Sequence, residues 1–497
     1  MPLPSGIILY KGYRETINMI FNSRQFILVF LPISILIYFF VDKIDKSDKR
    51  LLKKMFLICI SLFFYGYTNK KYIVIIFFSI IINFTMGKLI IKFNKLKSAK
   101  KMLLIIGLVF NMGLLGYFKY YNFFIENVNY IFKNDFNLIN VILPVGISFF
   151  TFQQLAFVID NYRNEMIHYN FIDYCLAVVF FPKLSEGPIM TVNEFIFQLD
   201  DSIKKRIDYD NMNKGLYMFA IGLGKKIFIA DMIGRFADAG FAISNLSFCD
   251  AWLTSLAYTF QLYFDFSGYC DMAIGIALMF NIKVPMNFNS PYKSTDIQMF
   301  WRNWHSTLGK FLTKYLYIPL SGNRKGKYRT YLNIFIIFLV SGIWHGAGWT
   351  FIIWGMLHGI SSIIHRIWTS SGKKLNKYLG IFITFNCVNI FWVVFRAKSI
   401  SNALSVLRSM FDLRSITKLI SSDYIKQINS ADSMSIEGLL CILIIAIIIT
   451  FLCNNSLNKV KNMKLNIAAM FQIVVIIVCA TFVICSSQTI TSLYFNF

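Results

Sequence analysis

Long, uninterrupted runs of apolar residues dominate the chain, and short segments rich in lysine separate them. A helix that crosses the hydrocarbon core of a bilayer needs ~20 mostly apolar residues. Because these runs do not alternate with polar positions, they predict membrane-spanning helices. We expect an all-α, polytopic integral membrane protein with roughly 10–13 transmembrane helices, plus re-entrant or interfacial helices where a run is short. The predicted spans are 26–41, 51–67, 72–91, 102–118, 141–159, 171–181, 216–230, 253–280, 331–344, 351–367, 381–395, 439–453 and 465–485.

Two segments, 200–212 and 397–437, are too polar to cross a membrane. In the second, Leu404, Leu407 and Phe411 recur at helical spacing. This pattern predicts an amphipathic segment that lies on the membrane surface. The two apolar runs that follow predict a C-terminal transmembrane pair within 438–497.

The overall composition supports the membrane interpretation, with 56% hydrophobic and 15% charged residues. Soluble domains are ~45–50% apolar and ~25% charged. These values exclude a soluble enzyme with a membrane tail, a disordered protein and a secreted disulfide scaffold. None of the nine cysteines forms a CxxC pair, so no metal site is indicated. Dinucleotide and serine-hydrolase motifs are also missing from the sequence. The Walker motif is missing too, which argues against a primary transporter.

The basic excess is large, with 50 Lys and Arg against 25 Asp and Glu and a net charge of +25. Such a balance is found in nucleic-acid-binding proteins and in loops beside an anionic leaflet. Here the basic residues lie between apolar runs, so we expect the bilayer as partner and no nucleic acid. The loops after the first and third predicted spans are the most lysine-rich, which places them in the cytoplasm and the N-terminus outside.

Three of the five histidines fall within residues 300–359. One of them, His345, lies in a run of apolar and small residues, where a titratable side chain is costly and is a functional candidate by default. An imidazole there could act as general base toward a hydroxyl or thiol. A core histidine hydrogen-bonded between two helices fits the same residues about equally well.

The neighbouring residues admit plainer interpretations. His305 follows Arg302 in an aromatic cluster, and on these residues alone an interfacial amphipathic helix is favoured. The turn SGNRKGK at 321–327 could receive phosphates of a nucleotide-containing donor, although a cytoplasmic basic loop is favoured. Asp265 and Asp271 lie in an apolar stretch, where ion pairing with Lys or Arg is favoured over catalysis.

Several motifs carry a resemblance to a known family. The chain resembles the membrane-bound O-acyltransferase family, and within it the bacterial alginate O-acetyltransferase branch, over nearly its whole length. The branch's usual N-terminus matches this chain from Met19, so residues 1–18 are expected to be an extension or the product of a start codon assigned too early. Residues 19–396 are expected to be the membrane core, with 300–359 as its catalytic block. The matching stretches include LPVGISFFTF at 143–152, YFDFSGY at 263–269, FWRNWH at 300–305, YIPL at 317–320, WHGA at 344–347 and VFRA at 394–397.

The resemblance implies a fold with a central funnel and assigns roles to individual positions. His345 falls on the family's catalytic histidine, and His305 on a second one that would hold the donor or the developing oxyanion. Asp231 falls on an acidic family position. We count Asp231, Asp265, Asp271 and His358 as possible supporting residues, and Arg302, Asn323, Arg324 and Lys325 as donor-binding candidates, to which the basic Lys310 and Lys327 add.

The function implied is transfer of an acetyl group from a cytoplasmic donor, acetyl-CoA, across the bacterial plasma membrane. No bound cofactor is expected. An extracellular acetyltransferase of the SGNH-hydrolase type would receive the acetyl group and acetylate a cell-surface polysaccharide. The alternatives are D-alanyl transfer to teichoic acid by a related branch of the family, and a transporter, for which paired charges and repeated halves would be expected.

Overall fold

The computed structural model describes residues 19–45, 50–68, 70–204, 206–417, 420–429, 436–461 and 467–486. These residues form helices and loops and contain no β-strand, which confirms the all-α prediction. The predicted extension at 1–18 lies outside the described residues. The helices are α1 (Leu31–Ile44), α2 (Leu51–Thr68), α3 (Lys70–Lys92), α4 (Lys97–Leu115), α5 (Tyr121–Phe132), α6 (Ile147–Tyr162), α7 (Phe171–Val179), α8 (Phe181–Leu184), α9 (Val192–Lys204), α10 (Tyr209–Gly224), α11 (Asp231–Ala242), α12 (Phe248–Met279), α13 (Ile297–Asn303), α14 (Ser306–Leu312), α15 (Gly326–His345), α16 (Trp349–Ser370), α17 (Lys377–Arg396), α18 (Ile400–Met410), α19 (Ser422–Asn429), α20 (Ile436–Leu452), α21 (Ser456–Lys461) and α22 (Ile467–Ser486).

Short π-helical segments continue some of these helices. They are Phe26–Phe30 before α1, Gly116–Tyr120 between α4 and α5, Lys225–Ala230 between α10 and α11, and Thr313–Tyr317 after α14. Two 3₁₀ turns occur at Pro291–Lys293 and Leu413–Ser415. A π segment widens a helix locally and is often found at functional sites.

Among the described residues, five helices are long and apolar enough to cross a membrane, which agrees with a multi-spanning protein. They are Phe26–Ile44, Lys70–Lys92, Lys97–Phe132, Lys377–Arg396 and Ile467–Ser486. The other long helices are more charged or less hydrophobic than these five. The expected number of 10–13 crossings therefore stays a prediction. The start of the predicted span 141–159 was wrong: α6 begins at Ile147, after Gly146, which adopts a left-handed conformation with φ 72°.

The surface segment 397–437 contains α18 and α19. The predicted apolar stripe is only partly buried against the protein core. The buried face of α18 consists of Ala403, Val406 and Met410, while Leu404 and Phe411 are exposed. Helix α18 packs against α12 and α17 and is therefore joined to the core. Its place at the membrane surface stays a prediction.

Three segments lie together on one face of the bundle, which we call the lysine-rich face after Lys53, Lys54, Lys95 and Lys100. They are the start of α2 at 51–54, the loop at 93–96 and the loop at 163–170. Lys100 Nζ donates to Asn94 and Asn164, which joins the loop at 93–96 to the loop at 163–170. Lys54 pairs with Asp173 at 2.8 Å, which brings the start of α2 beside α7, the helix that follows the loop at 163–170. The start of α2, which follows the first loop predicted to be cytoplasmic, therefore shares a face with the second such loop, at 93–96.

Helices α10 and α12 cross at very short range through glycines spaced seven residues apart on each helix. A Cβ on Gly215 would lie 2.7 Å from the carbonyl oxygen of Gly275, and one on Gly222 would lie 2.5 Å from that of Gly268. Backbone atoms cannot move aside as a flexible side chain can. The crossing therefore requires glycine at these positions.

We predict that Gly222→Ala lowers the free energy of unfolding by about 1–3 kcal/mol, because the added methyl group forces the helices apart. The matched control is Gly113→Ala in α4, where a Cβ meets nothing within 4 Å. That change should be neutral or stabilising by up to ~1 kcal/mol. Thermal unfolding in detergent measures both, and equal melting temperatures would contradict the packing described.

Candidate active site

His345 is the last residue of α15, at a sharp reversal into α16. The helix stops there because Gly346 is extended, with φ −161° and ψ 154°. The imidazole is buried within an aromatic enclosure. Its centroid lies 5.1 Å from that of Trp354 and 5.4 Å from that of Phe395, with both rings close to perpendicular. The ring is thereby held in one orientation.

His305 precedes α14 and has a left-handed backbone, with φ 44° and ψ 50°. Its Nδ1 lies 3.3 Å from Oδ1 of Asn287. The same oxygen accepts hydrogen bonds from the backbone and hydroxyl of Thr307, which identifies it as the amide oxygen. An amide oxygen only accepts, so Nδ1 carries the hydrogen and Nε2 presents its lone pair. Within the described residues Nε2 is buried without a hydrogen-bond partner.

The two imidazoles face each other, with ring centroids 6.5 Å apart and planes inclined by 60°. Each lines a different cavity. The His345 cavity, of about 90 Å³, is formed by residues 143–149 together with Lys119, Ser185, Glu186 and Trp344. The His305 cavity, of about 720 Å³, lies between α13, α14, α15 and α16. The histidine pair thus lies between two cavities. The central funnel stays a prediction.

The His305 cavity is the basic one. Arg302, Lys310, Lys314 and Arg366 all line it. Lys314 also pairs with Glu165 at 2.8 Å, which connects the cavity to the lysine-rich face. This hydrogen bond lowers the pKa of the Glu165 carboxyl below its ordinary value. The cavity therefore belongs to the side of the bundle predicted to be cytoplasmic.

The other predicted donor-binding residues lie elsewhere. Asn323, Arg324 and Lys325 are exposed on the turn before α15 and do not line the His305 cavity. Two backbone carbonyls of this turn region accept hydrogen bonds from Asn333. Of the donor-binding candidates, the structure brings Arg302 together with His305 and leaves the turn apart. A donor-binding role for the turn stays a prediction.

The acidic candidates form ion pairs on α12 and α11. Asp271 accepts from Lys225 at 2.6 Å, and Lys226 bridges Asp265 and Asp231. The predicted pairing of Asp265 and Asp271 with basic residues is therefore confirmed. Neither these two carboxylates nor Asp231 lines the two cavities, and a supporting role in the reaction stays a prediction for all three.

His358 is fully buried in α16, one aromatic layer away from His345. Its Nδ1 accepts a hydrogen bond of 3.1 Å from Nε1 of Trp301, which lines the His305 cavity. Trp354 stands between the two imidazoles, with centroids 4.8 Å from His358 and 5.1 Å from His345. His358 is thus placed to orient Trp301 and lines neither of the two cavities.

Sequence reasoning missed three residues at this site, namely Lys119, Asn287 and Arg366. Lys119 carried a usable signal, because it is the single charged residue between Lys101 and Glu126 in an apolar run. Asn287 had no such signal, since its role arises from contacts with residues on other elements. Lys119 and Arg366 line the two cavities, and Asn287 contacts the His305 ring.

Comparison with known proteins shows which proteins this chain is similar to. A model of the membrane-bound O-acyltransferase family matches residues 159–397. The chain is 42% identical to a Helicobacter pylori protein named peptidoglycan O-acetyltransferase, over 96% of this chain and 98% of the relative. It is 38% identical to a Pseudomonas aeruginosa protein named "Probable alginate O-acetylase AlgI", over 79% of this chain and 75% of the relative. A teichoic acid D-alanyltransferase of Streptococcus thermophilus is 30% identical over 50% of this chain and 68% of the relative.

The ion pairs beside the site give a stability prediction. Lys226→Met leaves two carboxylates without their shared cation, so we expect a loss of about 3–5 kcal/mol. The control is Lys214→Met, whose pair with Asp210 is largely exposed and should contribute ~0.5 kcal/mol or less. Adding Asp265→Asn to Lys226→Met should recover part of the loss. Thermal unfolding in detergent measures all three, and equal stability of the two single variants would contradict the prediction.

Proposed function

Because this chain belongs to the membrane-bound O-acyltransferase family and is therefore an O-acyltransferase, we propose that it carries an acetyl group from acetyl-CoA across the membrane for O-acetylation of a cell-envelope polysaccharide. The observation that carries this proposal is the pair of histidines between two cavities. A donor in one cavity and an acceptor in the other could react without either molecule crossing the membrane.

The donor occupies the His305 cavity in this proposal. Its volume of about 720 Å³ is within the range typical of small-molecule sites. Its basic lining suits the phosphates of coenzyme A, since Arg and Lys form the strongest hydrogen bonds with phosphate oxygens. Because this cavity adjoins the lysine-rich face, the donor enters from the cytoplasm and the N-terminus lies outside the plasma membrane.

His345 acts as the general base. Its imidazole takes the proton of the acceptor hydroxyl while the hydroxyl oxygen attacks the thioester carbonyl carbon. The C–O bond forms, the C–S bond breaks, and the leaving thiolate receives the proton from the imidazolium. The catalyst is thereby restored without any covalent intermediate on the protein.

His305 holds the donor in this mechanism. With Nδ1–H directed to Asn287, the free Nε2 is an acceptor and suits an amide N–H of the pantetheine arm. A neutral imidazole in this tautomer has no hydrogen for an oxyanion. Of the two roles that the family resemblance left open, donor binding is thus the better supported.

The cavity on the acceptor side, which contains His345, is small. At about 90 Å³ the His345 cavity is small for a sugar chain, which favours a single hydroxyl-bearing group as the immediate acceptor. We propose that a partner acetyltransferase of the SGNH-hydrolase type supplies this group and passes the acetyl to the polymer. Peptidoglycan is the favoured polymer, since the relative of that name matches nearly all of both chains. D-alanyl transfer is less supported, since the teichoic acid enzymes match only about half of this chain.

We predict that His345→Ala lowers acetyl transfer by at least ~10²-fold, because general-base catalysis contributes about 10²–10⁴-fold. The control is His168→Ala, which alters an exposed histidine outside both cavities. Release of polymer-bound acetate from cells, at equal protein in the membrane, measures the effect. Wild-type acetylation by His345→Ala would refute the assignment, and label from a D-alanyl carrier in place of acetyl-CoA would refute the donor.

The basic cavity gives a second prediction. Arg302→Gln should raise KM for acetyl-CoA about 10-fold, since a charge-assisted hydrogen bond contributes ~1.5–3 kcal/mol, and leave kcat nearly unchanged. The control is Lys101→Gln, an exposed lysine beside the loop at 93–96. Arg324→Gln tests the turn in the same assay. The assay uses inside-out membrane vesicles, and equal rates with right-side-out vesicles would contradict the proposed orientation.

A further inference from the structure

Helix α15 ends inside the protein with carbonyl groups that need partners. The last four carbonyls of any helix lack intrahelical donors, and at membrane depth an unpaired carbonyl costs several kcal/mol. Two consecutive residues of the π segment Gly116–Tyr120 supply the donors. Tyr120 donates its hydroxyl to the carbonyl of Ile343 at 2.7 Å. Lys119 Nζ donates to the carbonyls of Trp344 at 2.8 Å and His345 at 2.9 Å.

Lys119 makes one more hydrogen bond, from Nζ to the hydroxyl of Ser148 at 3.3 Å. An ammonium group has three hydrogens, so the three contacts use all of them. Within the described residues no ion pair joins Lys119 to a carboxylate. Although Lys119 lines the His345 cavity, it has no N–H left for an acceptor. Lys119 can therefore influence the reaction only through the groups to which it donates hydrogen bonds.

Those groups are the turn that carries the general base and the loop opposite it. The carbonyls of Trp344 and His345 belong to the end of α15, and Ser148 belongs to the first turn of α6. A second contact supports the same junction, since Nε1 of Trp344 lies 3.4 Å from the carbonyl of Ser148. A cation at a helix C-terminus also interacts favourably with the helix dipole. Lys119 thus joins the π segment Gly116–Tyr120 to α6 and α15 at one point beside the imidazole.

We propose that Lys119 is a positioning residue for acyl transfer. It fixes the end of α15, and with it the His345 imidazole, relative to the wall of the His345 cavity. This role rests on the proposed function, in which His345 is the base, and extends it to a residue that touches neither donor nor acceptor. Since a misplacement of ~1 Å can cost about 10²-fold in rate, loss of this clamp should reduce the chemical step.

The test is a set of substitutions at Lys119 assayed for acetyl transfer in membrane vesicles. Lys119→Met should lower kcat by ~10- to 100-fold while KM for acetyl-CoA stays within about twofold, because the donor cavity does not include Lys119. Lys119→Arg should restore most of kcat, since guanidinium hydrogens reach the same carbonyls. Lys119→Gln, which retains two amide hydrogens, should give an intermediate value.

If Lys119 only stabilised the fold, its substitution would reduce the amount of folded protein and leave kcat per folded molecule unchanged. All rates are taken per folded protein, quantified by size-exclusion chromatography and thermal unfolding. If Lys119→Met does not fold, Lys119→Gln decides in its place. Wild-type kcat per folded molecule in the deciding variant, or a matching rise in KM for the donor, overturns the proposal.

A failure of the proposed function is separable from a failure of this inference. If the wild-type protein transfers another acyl group, the acetyl-CoA donor is wrong. The ratio of wild-type to variant kcat is then measured with that donor. A ratio near one overturns the positioning role, and a ratio of ~10 or more supports it.

Discussion

The structure depends on one constraint: polar groups that lie at membrane depth must find partners within the protein. Lipid offers no hydrogen bonds, so an unpaired polar group there is costly. A cluster of buried amides shows the solution, since Asn83 donates to Asn111 and Gln154 from neighbouring helices, and Ser79 donates to Gln154 as well. The pairs of Lys225 and Lys226 with carboxylates on α12 follow the same logic. These contacts specify which helices lie together.

The same constraint makes the active site rigid. His345 lies where a helix must end, and the end is closed by donors from another helix. His305 lies where the chain is left-handed, and Asn287 fixes both its ring and the start of α14. Each histidine is therefore oriented by hydrogen-bonding groups that the fold also requires to pair its buried backbone. Preorganisation of this kind places reacting groups before substrates arrive.

Much of this could be predicted from the sequence, because long apolar runs have few structural solutions in a membrane. The residues His305 and His345 stand out since they fall in specific motifs, and Asp265 and Asp271 since buried carboxylates need cations. What could not be predicted are contacts between distant segments. Lys119 meets His345 across 226 positions of sequence, and no periodicity encodes that meeting. Likewise the turn at 321–327 and Arg302 look equally basic in sequence, and only the packing of α13 to α16 separates them.

The ion pairs between the α10–α11 junction and α12 have a consequence for biogenesis. A charged side chain at the centre of a membrane helix costs ~2.5–3.5 kcal/mol on insertion scales. Lys225 and Lys226 would each incur this cost if their segment entered lipid alone, and so would Asp265 and Asp271 on α12. Entering together, the two segments neutralise each other, and the glycine crossing lets them pack closely enough to do so. Residues 209–279, which contain α10, α11 and α12, are therefore expected to enter the bilayer as one unit, with these helices already in contact.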